Sequence, residues 1–315
     1  MQNKSRIAII SDSDNFIPIA GALTSLGCQV LLFFSPSQDN YINEKVSQFC
    51  KQFNIQITIE KTKQDIYKWL DESNPYLIFI SGYSNLLDIN RIKNRDIFNI
   101  HYGQLPQYRG PSPVFWQIKN GEKELYVTIH KINEKFDNGA VIWQKSIQNQ
   151  NYLNYKTASI MLSQVVVEGV IYIIRSYYLC NNVTALNRDE TKVSKYYSRP
   201  KLEDVKVNWD SMTVQEILNL TRACNPWNKG AIAFFKQNEI KLISAHVSDS
   251  NKTKSLTSTI EINNNAGTIV SLDDGLVVVT SDKQFLSIDM VYYMDSYIGS
   301  NDLKFYNFSI GDILN

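Results

Sequence analysis

From Arg6 to His101 the chain repeats one pattern: a short run of β-branched and aromatic residues, then a stretch with helical spacing. Arg6 to Ile10 precedes Phe16 to Leu26, which Gly27 stops; Val30 to Phe34 precedes Asn43 to Gln52; and Ile55 to Ile59 precedes Lys63 to Glu72. Tyr76 to Ile80 is a further apolar run, and Asp96 to His101 is the next candidate strand. Alternation of this kind predicts a parallel sheet with crossover helices, an α/β fold. Open sheets of that type bind ligands at the carboxyl ends of their strands, which is where Asn99 and His101 fall.

The turn after the first strand narrows the chemistry. It reads Ser11-Asp12-Ser13-Asp14-Asn15 and holds no glycine, so the Gly-x-Gly-x-x-Gly phosphate cradle of nicotinamide dehydrogenases is missing. Short Asp and Ser side chains at that place predict a cap for the following helix.

Further along, Asn99-Ile100-His101 is followed by Leu105-Pro106-Gln107-Tyr108-Arg109-Gly110 and then by Phe136-Asp137-Asn138-Gly139. Asn99 and His101 are two apart on a strand, so their side chains share a face. The turn-rich segment holds that strand end open, as segments carrying function usually do. A carboxamide, an imidazole and a carboxylate in one pocket suit acyl transfer, the first two as donors to an oxyanion and the acid as orienter and proton acceptor. Asn138-Gly139 has its own structural account as a tight turn between two strands, Tyr126 to Ile132 and Ala140 to Ile147.

The order Asn-x-His, Leu-Pro-x-x-Arg-Gly, Asp-x-Gly resembles the formyltransferase family that uses 10-formyltetrahydrofolate. Its members formylate methionyl-tRNA, glycinamide ribonucleotide or nucleotide-linked amino sugars. The resemblance implies that Asn99, His101 and Asp137 are catalytic and that 10-formyltetrahydrofolate is the cosubstrate, with no metal. It implies a folate site built from Ile80, Ser81, Gly82, Tyr83, Ser84 and Leu86 on one wall and Ile132, Asn133 and Phe136 on the other. Acceptor contacts would come from Tyr102, Gly103, Gln104 and Arg109. Arg109 could equally brace a carboxylate, because its fork serves either use. Tyr102-Gly103-Gln104 departs from the family's usual Pro-Ser-Leu.

Pro111 to Asn120 predicts a short helix, and Tyr155 to Leu179 a long amphipathic one that closes a catalytic domain over residues 1–187. Residues 188–206 are polar and carry Arg188, Lys192, Lys195, Arg199 and Lys201 around Pro200, which predicts a solvated linker. In residues 207–315, Val214 to Cys224 reads as helix. Gly230 to Phe235, Ile240 to Val247, Thr268 to Leu272, Leu276 to Thr280 and Phe285 to Met290 read as strands of a small barrel. Here too the family is resembled, through Asn208-Trp209, Thr221-Arg222-Ala223-Cys224-Asn225-Pro226-Trp227, Ala266-Gly267-Thr268-Ile269-Val270 and Asp274-Gly275-Leu276. The expected architecture is a Rossmann-like formyltransferase domain followed by an OB-like β-barrel.

Cys28, Cys50, Cys180 and Cys224 form no Cys-x-x-Cys and read as four buried reduced thiols, outside any zinc or disulfide framework. The opening apolar run, Ile7 to Ile10, is too short for a signal peptide, and the apolar stretch Val165 to Ile174 carries Glu168, which argues against a membrane span. A cytoplasmic enzyme is expected.

The acceptor is weighed on charge. The whole chain carries a net +1, and residues 201–315 hold 10 Lys plus Arg against 14 Asp plus Glu, a net of −4. Residues 34–40, at the place of a basic insertion in methionyl-tRNA formyltransferases, contain no Lys or Arg. A tRNA-binding surface should meet phosphates with positive charge. Pro113-Val114-Phe115-Trp116 and Val127-Thr128-Ile129-His130 also look more like enzymes that formylate amino sugars or nonribosomal peptide precursors. The expectation is a small-molecule amine such as a nucleotide-linked amino sugar. Initiator methionyl-tRNA, a formyltetrahydrofolate hydrolase and a non-catalytic folate-binding homologue stay as alternatives.

Overall fold

Five strands lie parallel in the computed structural model, which describes residues 5–92, 95–187, 193–248, 265–273 and 275–315: β1 (Arg6–Ser11), β2 (Gln29–Phe34), β3 (Gln56–Ile59), β4 (Leu77–Ser81) and β5 (Ile97–His101). Two antiparallel strands, β6 (Glu124–Lys131) and β7 (Val141–Gln148), extend the sheet, whose order is β3-β2-β1-β4-β5-β6-β7. Apolar runs such as Leu77 to Ser81 are buried at every position, as a strand covered on both faces requires. The covering helices are α1 (Ile17–Ser25), α2 (Asn40–Gln52), α3 (Asp65–Ser73) and α5 (Tyr155–Cys180), with the short α4 (Pro113–Lys119) between β5 and β6.

Two local expectations fail for physical reasons. The Ser11 to Asn15 cluster does not cap α1 with a side chain. Its groups are drawn across the sheet instead: Ser11 Oγ donates to the Ser81 carbonyl at 2.6 Å, Asp14 pairs with Lys45 Nζ at 2.6 Å, and Asp12 accepts from Ser84 Oγ at 2.7 Å. Cys180, the last residue of α5, is exposed, whereas Cys28, Cys50 and Cys224 are buried. Burial pushes the Cys50 thiol up to about 11.

The described chain divides into two units. The first runs to Pro113 and adds Glu124–Gln148 and Ser159–Ser198; the second takes Val114–Lys123, Asn149–Ala158 and everything from Arg199. Helix α5 is long and apolar enough to cross a membrane by length and composition, and half of its most apolar stretch is buried. Ala158, Leu162, Val166, Val170, Ile173 and Tyr177 form that buried stripe at helical spacing.

In the second unit, α6 (Leu202–Val205) and α7 (Val214–Cys224) precede an antiparallel sheet of β8 (Ala231–Phe235), β9 (Asn238–Val247), β10 (Ile269–Ser271), β11 (Leu276–Val279) and β12 (Phe285–Tyr293). A sixth strand, β13 (Ser296–Gly299), hairpins with β12 and has no counterpart in the sequence reading. The sheet curls into a half-barrel, and the chain end stitches its two margins: Leu314 bridges Phe235 while Ile313 bridges Thr268. Arg222 gathers the Asn149 side chain and the Gln150 and Leu153 carbonyls at 2.9 to 3.1 Å, and Trp227 meets Phe115 edge-on at 5.7 Å. The Arg222 to Trp227 motif is thus a clamp on residues that lie far earlier in sequence. Asp274 of the fourth C-terminal motif lies outside the described residues.

Candidate active site

The last residues of β5 and β6 face one another across an antiparallel ladder in which Asn99 pairs with His130 and His101 with Thr128. The nine-residue connection from β6 to β7 then folds back so that Asp137 returns over β5. Its left-handed φ, 50°, falls on Asp137 itself and not on Asn138 or Gly139, so Asn-Gly is not the expected two-residue hairpin turn. Asp137 becomes a hub. Its Oδ1 lies 3.4 Å from Asn99 Nδ2, 3.4 Å from His101 Nδ1 and 3.6 Å from His130 Nε2, and its Oδ2 accepts the Gly110 amide at 2.9 Å.

Burial sets the charge states. Asp137, His101 and His130 side chains are 9%, 6% and 2% exposed. Desolvation alone would raise the Asp137 carboxyl, but in the acid range where it titrates the charge of a protonated His101, the His130 contact and the Gly110 amide hold it at about 2. Desolvation moves His101 the other way, below the usual imidazole range, against the partial opposition of Asp137 and the Tyr108 carbonyl. That carbonyl can only accept, so the ring proton sits on His101 Nε2, 2.5 Å away. The neutral ring therefore turns an unprotonated Nδ1 toward an ionised carboxylate. Two acceptors facing each other at 3.4 Å form a gap that a transferred proton would fill.

Arg109 braces this arrangement. Its Nη2 donates to the Phe136 carbonyl at 2.7 Å, next to Asp137, while its Nε is buried without a hydrogen-bond partner. Lys195 and Tyr197, expected in a solvated linker, run alongside the same loop: Arg109 N donates to Lys195 O at 3.0 Å and Tyr197 N to Arg109 O at 2.8 Å. Tyr108 and Tyr197 stack at 5.1 Å. Gly110 lies so close that a Cβ would come 2.0 Å from the Tyr197 carbonyl, at a φ of +112°. Residues 188–192, including Arg188 and Lys192, lie outside the described residues.

The remaining sequence-predicted residues separate into inward and outward groups. Ile80 is core, and Ser81 is buried with its Oγ 3.3 Å from the Tyr102 hydroxyl. The Gly82 carbonyl accepts from Asp12 N, Ser84 from the same loop reaches Asp12, and Tyr83 turns its hydroxyl to Glu60 at 2.6 Å. Tyr83 and Ile132 pack on one apolar cluster that includes Ile80, Leu87 and Ile97, so the two loops share a floor. Leu86 and Phe136 stand exposed on these loops, and Asn133 closes a local turn by accepting from Lys135 N at 3.0 Å. Tyr102 is buried, Gly103 is wedged between Pro113 and His101, and Gln104 is buried. His130 is the neighbour that sequence reasoning left without a role, although its place opposite Asn99 in the hairpin was there to be counted.

Residues 7–161 match the formyl transferase family model, and residues 200–294 match that of the formyl transferase C-terminal domain. The methionyl-tRNA formyltransferase of Natranaerobius thermophilus is 30% identical over 223 residues, covering 68% of this chain and 69% of that protein. The chain belongs to the formyltransferase family. That family consists of enzymes and draws its one-carbon unit from 10-formyltetrahydrofolate. The methionyl-tRNA formyltransferase of Thermodesulfovibrio yellowstonii is 32% identical over 200 residues, 62% of this chain and 63% of that relative's length. Among solved structures, an N-formyltransferase from Helicobacter canadensis in complex with folinic acid and dTDP-3-aminofucose superposes with a TM-score of 0.67 at 16% identity, over 90% of this chain and 98% of that one. At that identity the likeness is one of fold.

Proposed function

We propose that the protein transfers the formyl group of 10-formyltetrahydrofolate to a primary amine of a small molecule, and that the amine belongs to a nucleotide-linked amino sugar. The observation that carries the reaction is the convergence of Asn99, His101 and His130 on a single Asp137 oxygen within 3.4 to 3.6 Å. In this reading an unprotonated amine attacks the formyl carbon, the new C–N bond forms, and the bond from that carbon to the folate nitrogen breaks. The formyl oxygen carries negative charge in between and takes an N–H of Asn99, displacing the long 3.4 Å contact to Asp137. His101, neutral at rest, accepts the amine's proton at Nδ1, where Asp137 stabilises the imidazolium. The proton then passes to the departing folate nitrogen. Burial favours the neutral ring at rest, so in this reading the imidazolium forms during the reaction.

Leu86 and Phe136 would cover the pterin. The acceptor reading is supported by the net charge of −4 over residues 201–315 and by the uncharged-to-acidic Phe34 to Asn40 segment. One observation favours initiator methionyl-tRNA instead: relatives at 30 to 32% identity carry that name. Purified protein given 10-formyltetrahydrofolate together with initiator methionyl-tRNA and a panel of nucleotide-linked amino sugars, with the formyl carbon labelled, tests both. Label on a sugar amine is the expected result, and label on tRNA alone overturns the acceptor assignment. Folate release without any amine would mark a hydrolase, and no folate binding a non-catalytic homologue.

A further inference from the structure

We propose that His130 is a positioning residue for formyl transfer, holding the Asn99 carboxamide with its nitrogen turned toward Asp137; the proposal rests on the reading above. A carboxamide is nearly symmetric in shape, and half a turn exchanges its donor and acceptor ends. Something must choose between them if Asn99 is to donate to an oxyanion. The Lys131 carbonyl, 2.9 Å from His130 Nδ1, can only accept, so Nδ1 carries the ring proton. Nε2 is left as a bare acceptor 3.1 Å from Asn99 Nδ2.

The same nitrogen faces Asp137 Oδ1 at 3.4 Å, so two acceptors converge on one NH2 group. Turning the amide over would set its oxygen against a lone pair and a carboxylate at once. His130 makes the shorter of the two contacts and sits at 2% exposure, where water cannot replace it. Its place follows from the ladder, which sets Asn99 and His130 directly opposite on one face of the β5–β6 pair.

Two measurements test this. In protein labelled with 15N in histidine, long-range correlation spectra should show the His130 proton on Nδ1 and a bare Nε2; a proton on Nε2 overturns the proposal whatever the activity. In the transfer assay, His130→Gln can present a carbonyl oxygen where Nε2 was, while His130→Asn and His130→Leu cannot. The Gln variant should stay within about 3-fold of the wild-type kcat, and the other two should fall about 5- to 30-fold with the folate KM nearly unchanged. Equal rates in the Gln and Asn variants, both matched in Tm to wild type, overturn it. Absence of transfer by the wild type to every amine would instead sink the formyl-transfer reading, and the spectrum would still decide the state of His130.

Discussion

The ends of β4 and β5 lie side by side, yet they treat polar groups in opposite ways. At the β4 end the side chains and carbonyls find partners: Ser81 in Ser11 and Tyr102, Gly82 in Asp12, Tyr83 in Glu60 and Ser84 in Asp12. At the β5 end, acceptors face acceptors, with His101 Nδ1 and Asp137 Oδ1 3.4 Å apart and three side chains crowding one oxygen. Buried polar groups in a folded chain are normally paired, so an unsettled cluster beside a settled one marks where function is paid for in stability. The β4 end holds a shape, and in our proposal the β5 end holds the reaction.

The strongest way to break this contrast is to settle the unsettled side. Replacing Asp137 with Asn removes the charge shared by His101, His130 and Asn99, and kcat should fall by about 10²–10³ or more while the fold, read by circular dichroism, persists. His101→Ala should do the same, and near-normal turnover in either folded variant would remove the cluster from catalysis. Next in size is Gly103→Ser, which restores the residue usual in the family at that place. A Cβ there would lie 2.5 Å from Pro113 Cβ and 3.0 Å from His101 Nε2, so turnover should drop about 10-fold or more with a lower Tm. A gain in activity would show that the Tyr102 to Gln104 segment is not adapted to this packing.

A pH titration of stability sharpens the contrast further. Both His101 and Asp137 have depressed folded values, so each stabilises the protein above its unfolded pKa and the contribution is lost as pH falls. Tm should therefore decline as pH drops below about 6.5, the ordinary imidazole value, and His101→Gln should flatten that step. A second loss, from Asp137, belongs between 3.8 and about 2. The smallest effect is expected where β5 hands a hydroxyl to the settled side: Tyr102→Phe, which loses the contact to Ser81, should cost about 1 kcal/mol of stability in denaturant melts and leave kcat within about 2-fold. A large loss of turnover there would mean that the β4 end is chemical as well.

Much of this was legible in the sequence. Alternating runs announced the parallel sheet, and Asn99, His101 and Asp137 stood out because their residue types and order match one chemistry. The cap expected from Ser11 to Asn15 failed because those side chains had competing partners on β4 and α2, which local propensity cannot see. Lys195 and Tyr197 looked like wet linker for a similar reason, since polar composition says nothing about a backbone that finds Arg109 as its partner.

Periodicity and spacing in this chain determined its layers, the edge of the sheet where Asn99 and His101 lie and the residue types available there, because those depend on short-range geometry of the backbone. Which acceptor meets which donor was decided only when β6 folded against β5 and the following loop carried Asp137 back over it. Protonation then follows from burial and from carbonyls that can only accept, and neither exists until the chain has closed.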